Sequence, residues 1–176
     1  MPENPKVCYT VGAAGVNPQQ FIDALRAHGI TIVLDVRGFP AHDNIKQHLA
    51  KFNILYGACE ILTGMCILTD TEYYSNSKIG IGKLRTDPRV VYFIDKCEEL
   101  LNTGHRIAIL HSAADPLDDR KAVIVARLLI SRGLDCKHIV ATKGGLVVEL
   151  HDALEARLLD WYVAHPAVGG GTSHNV

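Results

Sequence analysis

The sequence predicts a single three-layer α/β domain: a mostly parallel sheet with helices on both faces. Three observations carry this. Short apolar, β-branched runs alternate with longer stretches of helical periodicity. Helix starts are marked by Asn17-Pro18 and Asp87-Pro88, a capping side chain followed by a proline that needs no donor. Glycines at 29, 104 and 133 follow the helical stretches, where a left-handed residue ends a helix.

In chain order, Val7–Val11 reads as the first strand, ending at Gly12. Asn17-Pro18 opens a helix with Phe21, Ile22 and Leu25 on one face. Ile30–Val36 is nearly all apolar, as suits a strand buried on both faces. Asp43 or Asn44 can cap a second helix carrying Ile45, His48, Leu49 and Phe52. Ile54–Tyr56 reads as a strand, and the rest of 54–86 as a long excursion with turns. Val91, Ile94, Cys97, Leu100 and Leu101 form the stripe of the helix after Pro88. Arg106–Leu110 is another buried strand. A helix follows over 119–132, with Val123, Ala126, Leu129 and Ile130 inward. Cys136–Ala141 is a strand, with Val147–Leu150 beside it. Asp152 is read as the cap of a last helix bearing Leu154, Leu158, Trp161 and Tyr162. The domain spans 1–165, and residues 166–176, with nothing to pack, are expected to be a disordered tail.

The 176 residues suit one domain, and 48% are hydrophobic, enough for a substantial core. A formal net charge of −1 argues against strong non-specific nucleic-acid binding, which needs a basic face. Five cysteines without a CxxC fit neither a disulfide framework nor a zinc knuckle. Cys8, Cys97 and Cys136 lie in apolar periodic segments and read as core thiols. No signal peptide or membrane span is visible, so a cytoplasmic protein is expected, without a cofactor. The composition leaves room for a homo-oligomer.

Parallel α/β sheets bind ligands at the carboxyl ends of their strands, and the candidate site residues are those gathered there. Tyr9 and Thr10 belong to the first strand, and Gly12 and Gly15 bracket a turn whose backbone N–H groups suit a phosphate. Asp35 and Arg37 alternate along one side of the second strand's end; mutual pairing and ligand binding are both open for them. His111 stands at a strand tip as a candidate general base, with Asp35 or Asp115 to orient it. Ser112 follows, without the glycine elbow of a nucleophilic serine. Asp118 and Asp119 read as caps for the next helix. Arg120 opposes that helix's dipole and calls for an anion. Lys143 lies in a hairpin that points the same way. His138, inside an apolar run, reads as a satisfied core histidine. No metal-ligand spacing is present.

These residues also carry a pattern. Tyr9-Thr10-Val11-Gly12, Asp35-Val36-Arg37-Gly38-Phe39-Pro40, Tyr56, Leu62-Thr63-Gly64, Asp115-Pro116, Arg120 and Lys137-His138-Ile139 resemble, in order and spacing, the bacterial family catalogued as domain of unknown function 488. The likeness covers most of 7–160. The family's Gly-His-Ser after the first strand is replaced by Gly12-Ala13-Ala14. Its cysteine and glutamate after a later strand are replaced by His111 and Ala113, and its Cys-His-Arg by Asp118-Asp119-Arg120. The resemblance thus implies a site that keeps its arginines and loses its thiol chemistry. A rhodanese also carries Asp-Val-Arg, but its sulfur transfer needs a loop cysteine, and HSAADP has none.

The first functional expectation is a module binding an anionic, nucleotide-like small molecule through Arg37, Arg120 and the Gly12–Gly15 turn. The alternatives are a hydrolase or transferase using His111, Asp35 and Asp115, and a partner-binding adaptor with an apolar patch around 54–86.

Overall fold

The computed structural model describes residues 6–37, 44–59, 74–75, 78–79 and 84–164. Strands β1 (Val7–Gly12), β2 (Ile32–Asp35) and β3 (Leu55–Ala58) come from the first half of the chain. Helices α1 (Pro18–Ala27) and α2 (Ile45–Ala50) connect them. A two-stranded ladder, β4 (Tyr74–Ser75) with β5 (Lys78–Ile79), stands apart from the main sheet. Then come α3 (Pro88–Asn102), β6 (Ile107–His111), a 3-10 turn (Pro116–Asp118), α4 (Arg120–Ser131), β7 (Asp135–Thr142), β8 (Gly145–Leu150) and α5 (His151–Ala164).

The six-stranded sheet has the order β3-β2-β6-β1-β7-β8 and is parallel except for β8. The chain moves outward from β1 to β2 and β3, then returns to β6 and crosses to β7. Crossovers of one hand therefore place the two sets of helices on opposite faces. The core divides accordingly. Phe21, Ile22 and Leu25 of α1 and Leu49 of α2 pack on Tyr9, Val11, Val33 and Leu110. Helices α3 and α4 pack on Cys8, Ile32, Leu34 and Ile109.

The capping signals act as the sequence implies. Asn17 and Asp87 accept from the N–H groups of Gln19 and Arg89, each with proline behind it. Gly29 has φ of 65°, a conformation that disfavours other residues. Asp119 caps α4, whereas Asp118 belongs to the preceding turn, which Asp115 caps. Asn44 makes no side-chain cap bond, and α5 begins at His151, one residue before the expected cap. Asp43, Gly38–Pro40, Leu62–Gly64 and the tail 166–176 lie outside the described residues.

Several inward assignments change. Val90 and Phe93, not Val91, are buried on α3. On α4 nearly every residue from Ala122 to Leu129 is buried except Arg127, while Ile130 is exposed. A narrow stripe was expected; this helix is covered on more than one side, with the sheet and α3 in one cluster and α5 reached through Arg127. Trp161 is half exposed rather than inward. Among the described residues, exposed apolar side chains gather on β8 and α5, at Val147, Val148, Leu150, Leu159, Trp161 and Val163; most of 54–86, where an apolar patch was expected, lies outside the described residues. Among the described residues, no helix is long and apolar enough to cross a membrane. Cys8, Cys97 and Cys136 are buried free thiols, and burial raises the Cys8 and Cys97 pKa values.

Gly12 is fixed by a close approach of main chain. A Cβ there would lie 1.9 Å from the Ala113 carbonyl oxygen, and backbone yields less readily than a side chain. Gly12→Ala is expected to cost about 3 kcal/mol, read as a lower urea midpoint with an unchanged m-value.

Candidate functional site

The carboxyl edge of the sheet is built around β6. Its chain leaves towards the α4 face, and the chains leaving β1 and β2 on either side go to the α1–α2 face. Such reversals create the crevices where α/β sheets hold ligands. Here there are two, and they differ.

The β1–β6 crevice is filled by the protein itself. Ala13 N–H donates to the His111 carbonyl at 2.9 Å, and Ala14 N–H to that of Ser112 at 3.1 Å. The two loops thus extend the ladder past the strand ends, and Ala113 sits on Gly12. This corrects the phosphate-loop expectation for Gly12–Gly15: Ala13 and Ala14 spend their donors on backbone. Gly15, exposed with φ of 69°, makes the turn into α1.

The β2–β6 crevice is bordered by Val36, Arg37, Ser112 and the first turn of α4. Lys121 Nζ donates to the Val36 carbonyl at 3.3 Å, tying α4 to the end of β2. Asp119 caps α4 through Lys121 N–H at 3.0 Å and also accepts from Ser112 N–H at 2.9 Å. One carboxylate therefore fixes the exposed Ser112 loop to the helix. The backbone of Arg120 stands in this same first turn. The positions of Arg37 and Arg120 thus share one rim of the sheet.

Arg37 is itself partnered. Its Nε and Nη2 donate to both Asp35 oxygens, with a closest approach of 2.7 Å, and its backbone N–H donates as well. Tyr56 Oη donates to Asp35 Oδ2 at 2.8 Å, a contact the sequence reading did not assign. The two charged side chains are only 11% and 5% exposed. Burial pushes the Asp35 carboxyl up, but the Arg37 bonds and the Tyr56 hydroxyl outweigh it and hold it below the ordinary carboxylate range.

Asp35 does not orient His111. Alternation puts Asp35 with Val33 on the α1–α2 face and His111 with Ile109 on the α3–α4 face. Asp115 is held by Arg157 of α5 at 2.8 and 3.1 Å. The acid beside His111 is Asp119, with 3.9 Å between Nδ1 and Oδ2. His111 is fully buried, and neither ring nitrogen has a hydrogen-bond partner. Burial pushes its pKa down to about 4, against the pull of Asp119 and Asp115. The imidazole is therefore neutral near pH 7.

Three further candidates lie away from the rim. Tyr9 is buried and stacks on His28 at 5.3 Å. Thr10 is buried in mid-strand and bonded to His138 at 2.7 Å. Lys143 is exposed at the tip of the β7–β8 hairpin, and β7 is three strand spacings from β2, about 14 Å. Among the described residues, no group of three or more His, Cys, Asp or Glu is arranged to hold a metal ion. A groove between α3 and α4 is lined by Arg85, Val90, Ile94, Leu128 and Arg132; it contains none of the candidates. Comparison with models of known families, with curated proteins and with solved structures finds no match.

Arg37→Ala leaves Asp35 as a buried carboxylate without its counterion and is expected to cost about 3 kcal/mol in chemical denaturation at pH 7. His111 gives a pH-dependent counterpart. Its folded-state pKa lies below the ordinary value of 6.5, so the unfolded chain binds the extra proton and stability falls as pH drops below 6.5. At pH 5 this amounts to about 2 kcal/mol. His111→Leu should remove about that much of the difference between urea unfolding at pH 7 and at pH 5.

Proposed function

We propose that the protein binds an anionic, nucleotide-like small molecule in the crevice between the carboxyl ends of β2 and β6. The carrying observation is the docking of the first turn of α4 on β2 through Lys121 and Val36. It sets Arg37, the exposed Ser112 and the start of α4, with Arg120 as its first residue, along one border. A helix start brings partial positive charge and unpaired N–H groups, and arginine suits bidentate recognition of phosphate. Arg37 enters this reading preorganised by Asp35, and Tyr56 completes the support. The resemblance to domain of unknown function 488 belongs to the same proposal. Asp35-Val36-Arg37, Asp115-Pro116 and Arg120, which carry the likeness, fall at this edge of the sheet.

A second reading, a hydrolase or transferase with His111 as general base, is favoured by one observation: a neutral, unpartnered imidazole beside Asp119. In that reading Asp119 takes the orienting role first given to Asp35 or Asp115. A substrate reaches His111 only if residues 112–114 move. Binding without turnover is therefore the reading supported best.

The test is calorimetric titration with nucleoside mono-, di- and triphosphates and sugar phosphates. Arg120→Ala is expected to weaken binding at least tenfold, the size of one lost charge-assisted hydrogen bond of about 1.5–3 kcal/mol. Absence of binding by the whole panel, or an affinity untouched in Arg120→Ala, overturns the proposal. Product formation that disappears in His111→Gln would establish the second reading instead.

A further inference from the structure

The interior holds a continuous polar chain that no ligand at the rim requires. It runs from the centre of the sheet to the surface. Thr10 Oγ1 lies 2.7 Å from His138 Nδ1, His138 Nε2 lies 3.0 Å from His151 Nδ1, and His151 Nε2 lies 3.0 Å from Glu155 Oε1. Arg127 of α4 closes the chain with two bonds to Glu155, at 2.5 and 2.6 Å. Thr10 and His138 are fully buried and His151 nearly so. The chain joins β1, β7, α5 and α4.

Its terminus sets every proton. The Glu155 carboxylate, kept ionised by Arg127, only accepts, so His151 carries its proton on Nε2. A neutral His151 then accepts at Nδ1, which requires the proton of His138 on Nε2, and Thr10 donates its hydroxyl to His138 Nδ1. One added proton is accommodated: His151 becomes a donor at both nitrogens, and His138 shifts its proton to Nδ1. A second has no place, because two N–H groups would then face each other inside the core.

The surrounding charges do not relieve this. From α5, Asp152 favours a charged His151, while Arg127 of α4 opposes it. His138 faces His111 of β6 and Arg157 of α5, and both oppose its charging, against Glu155. Glu149 of β8, across from His138 in the ladder, is bound by Arg157.

We infer that the His138–His151 pair is an acid-sensitive latch that holds α5 against the sheet and releases it before the rest of the domain unfolds. Released α5 exposes both imidazoles to water, where each takes up a proton below pH 6.5. Each pH unit below that value shifts the docking equilibrium up to tenfold per excluded proton. Arg157 ties α5 to Asp115 in the β6–α4 loop, so release also frees that loop. The inference does not depend on which ligand the rim takes.

The chain contains a single tryptophan, Trp161, and it lies on α5. Its emission, followed from pH 8 to pH 4 on the full-length protein, reports the helix directly, and far-UV circular dichroism reports the remaining structure. The expected result is a Trp161 transition below pH 6.5 that precedes loss of the dichroism signal. It should vanish, or move down by more than one pH unit, in His138→Gln/His151→Gln. Should that variant fail to fold, the imidazole proton resonances of the wild-type protein decide. One histidine titrates while α5 is docked, and the second should titrate together with the Trp161 change. A tryptophan signal that moves only with global unfolding overturns the latch. So does a transition that survives in a folded double variant, or titration of both histidines without a change in Trp161.

Discussion

The central strands of this sheet are covered on both faces, and that constraint governs every polar group placed in them. Water cannot reach β1, β6 or the middle of β7, so a side chain there that needs a hydrogen bond must find it within the protein. Thr10 and His138 do so through a line of donors leading out to Glu155 and Arg127. Asp35, at the end of β2, does so through Arg37 and Tyr56. His111 does not. The same dryness that makes the first two arrangements rigid makes the third conspicuous.

The order of the strands decides where chemistry can be placed. Because the chain reverses direction after β3, the loop leaving β6 goes to one face of the sheet and the loops leaving its neighbours β1 and β2 go to the other. One crevice is closed by main-chain hydrogen bonds and by the contact of Ala113 with Gly12. The other is framed by side chains that hold each other: Asp119 grips Ser112 and α4, and Lys121 grips the end of β2. Acidic groups here serve chiefly as fixings for backbone and for arginine.

What the sequence disclosed was local, because its signals are local. Asn17-Pro18 and Asp87-Pro88 act within one helical turn, and the caps fall where they point. Asp35 and Arg37, two residues apart on a strand, could be matched by alternation alone. The interior chain was out of reach of such reasoning: Thr10 and His138 are 128 residues apart, and His138 and His151 are 13 apart. Asp119 was recognised as a cap but not as the neighbour of His111, since that contact depends on how the loop folds back. The outward turn of Ile130 escaped for a related reason. A helix covered on several sides has no single apolar stripe, and periodicity then says little about any one residue. At the crevice, Arg37 and Arg120 were assigned to one rim because parallel strands present their carboxyl ends on one side, while the strand order that sets their neighbours was not legible.

The placement of β1 has a consequence for how the molecule is made. It is the first strand to be synthesised, yet both of its neighbours, β6 and β7, begin beyond residue 100. A nascent chain emerging from the ribosome therefore carries an apolar strand with open edges until the segment from Ile107 onward has been made. Pairing closes only after the second half arrives, and Thr10 gains its imidazole partner later still. Completion of this sheet waits on β6 and β7, and the burden of keeping the early segment from wrong pairings falls on whatever shelters it until then.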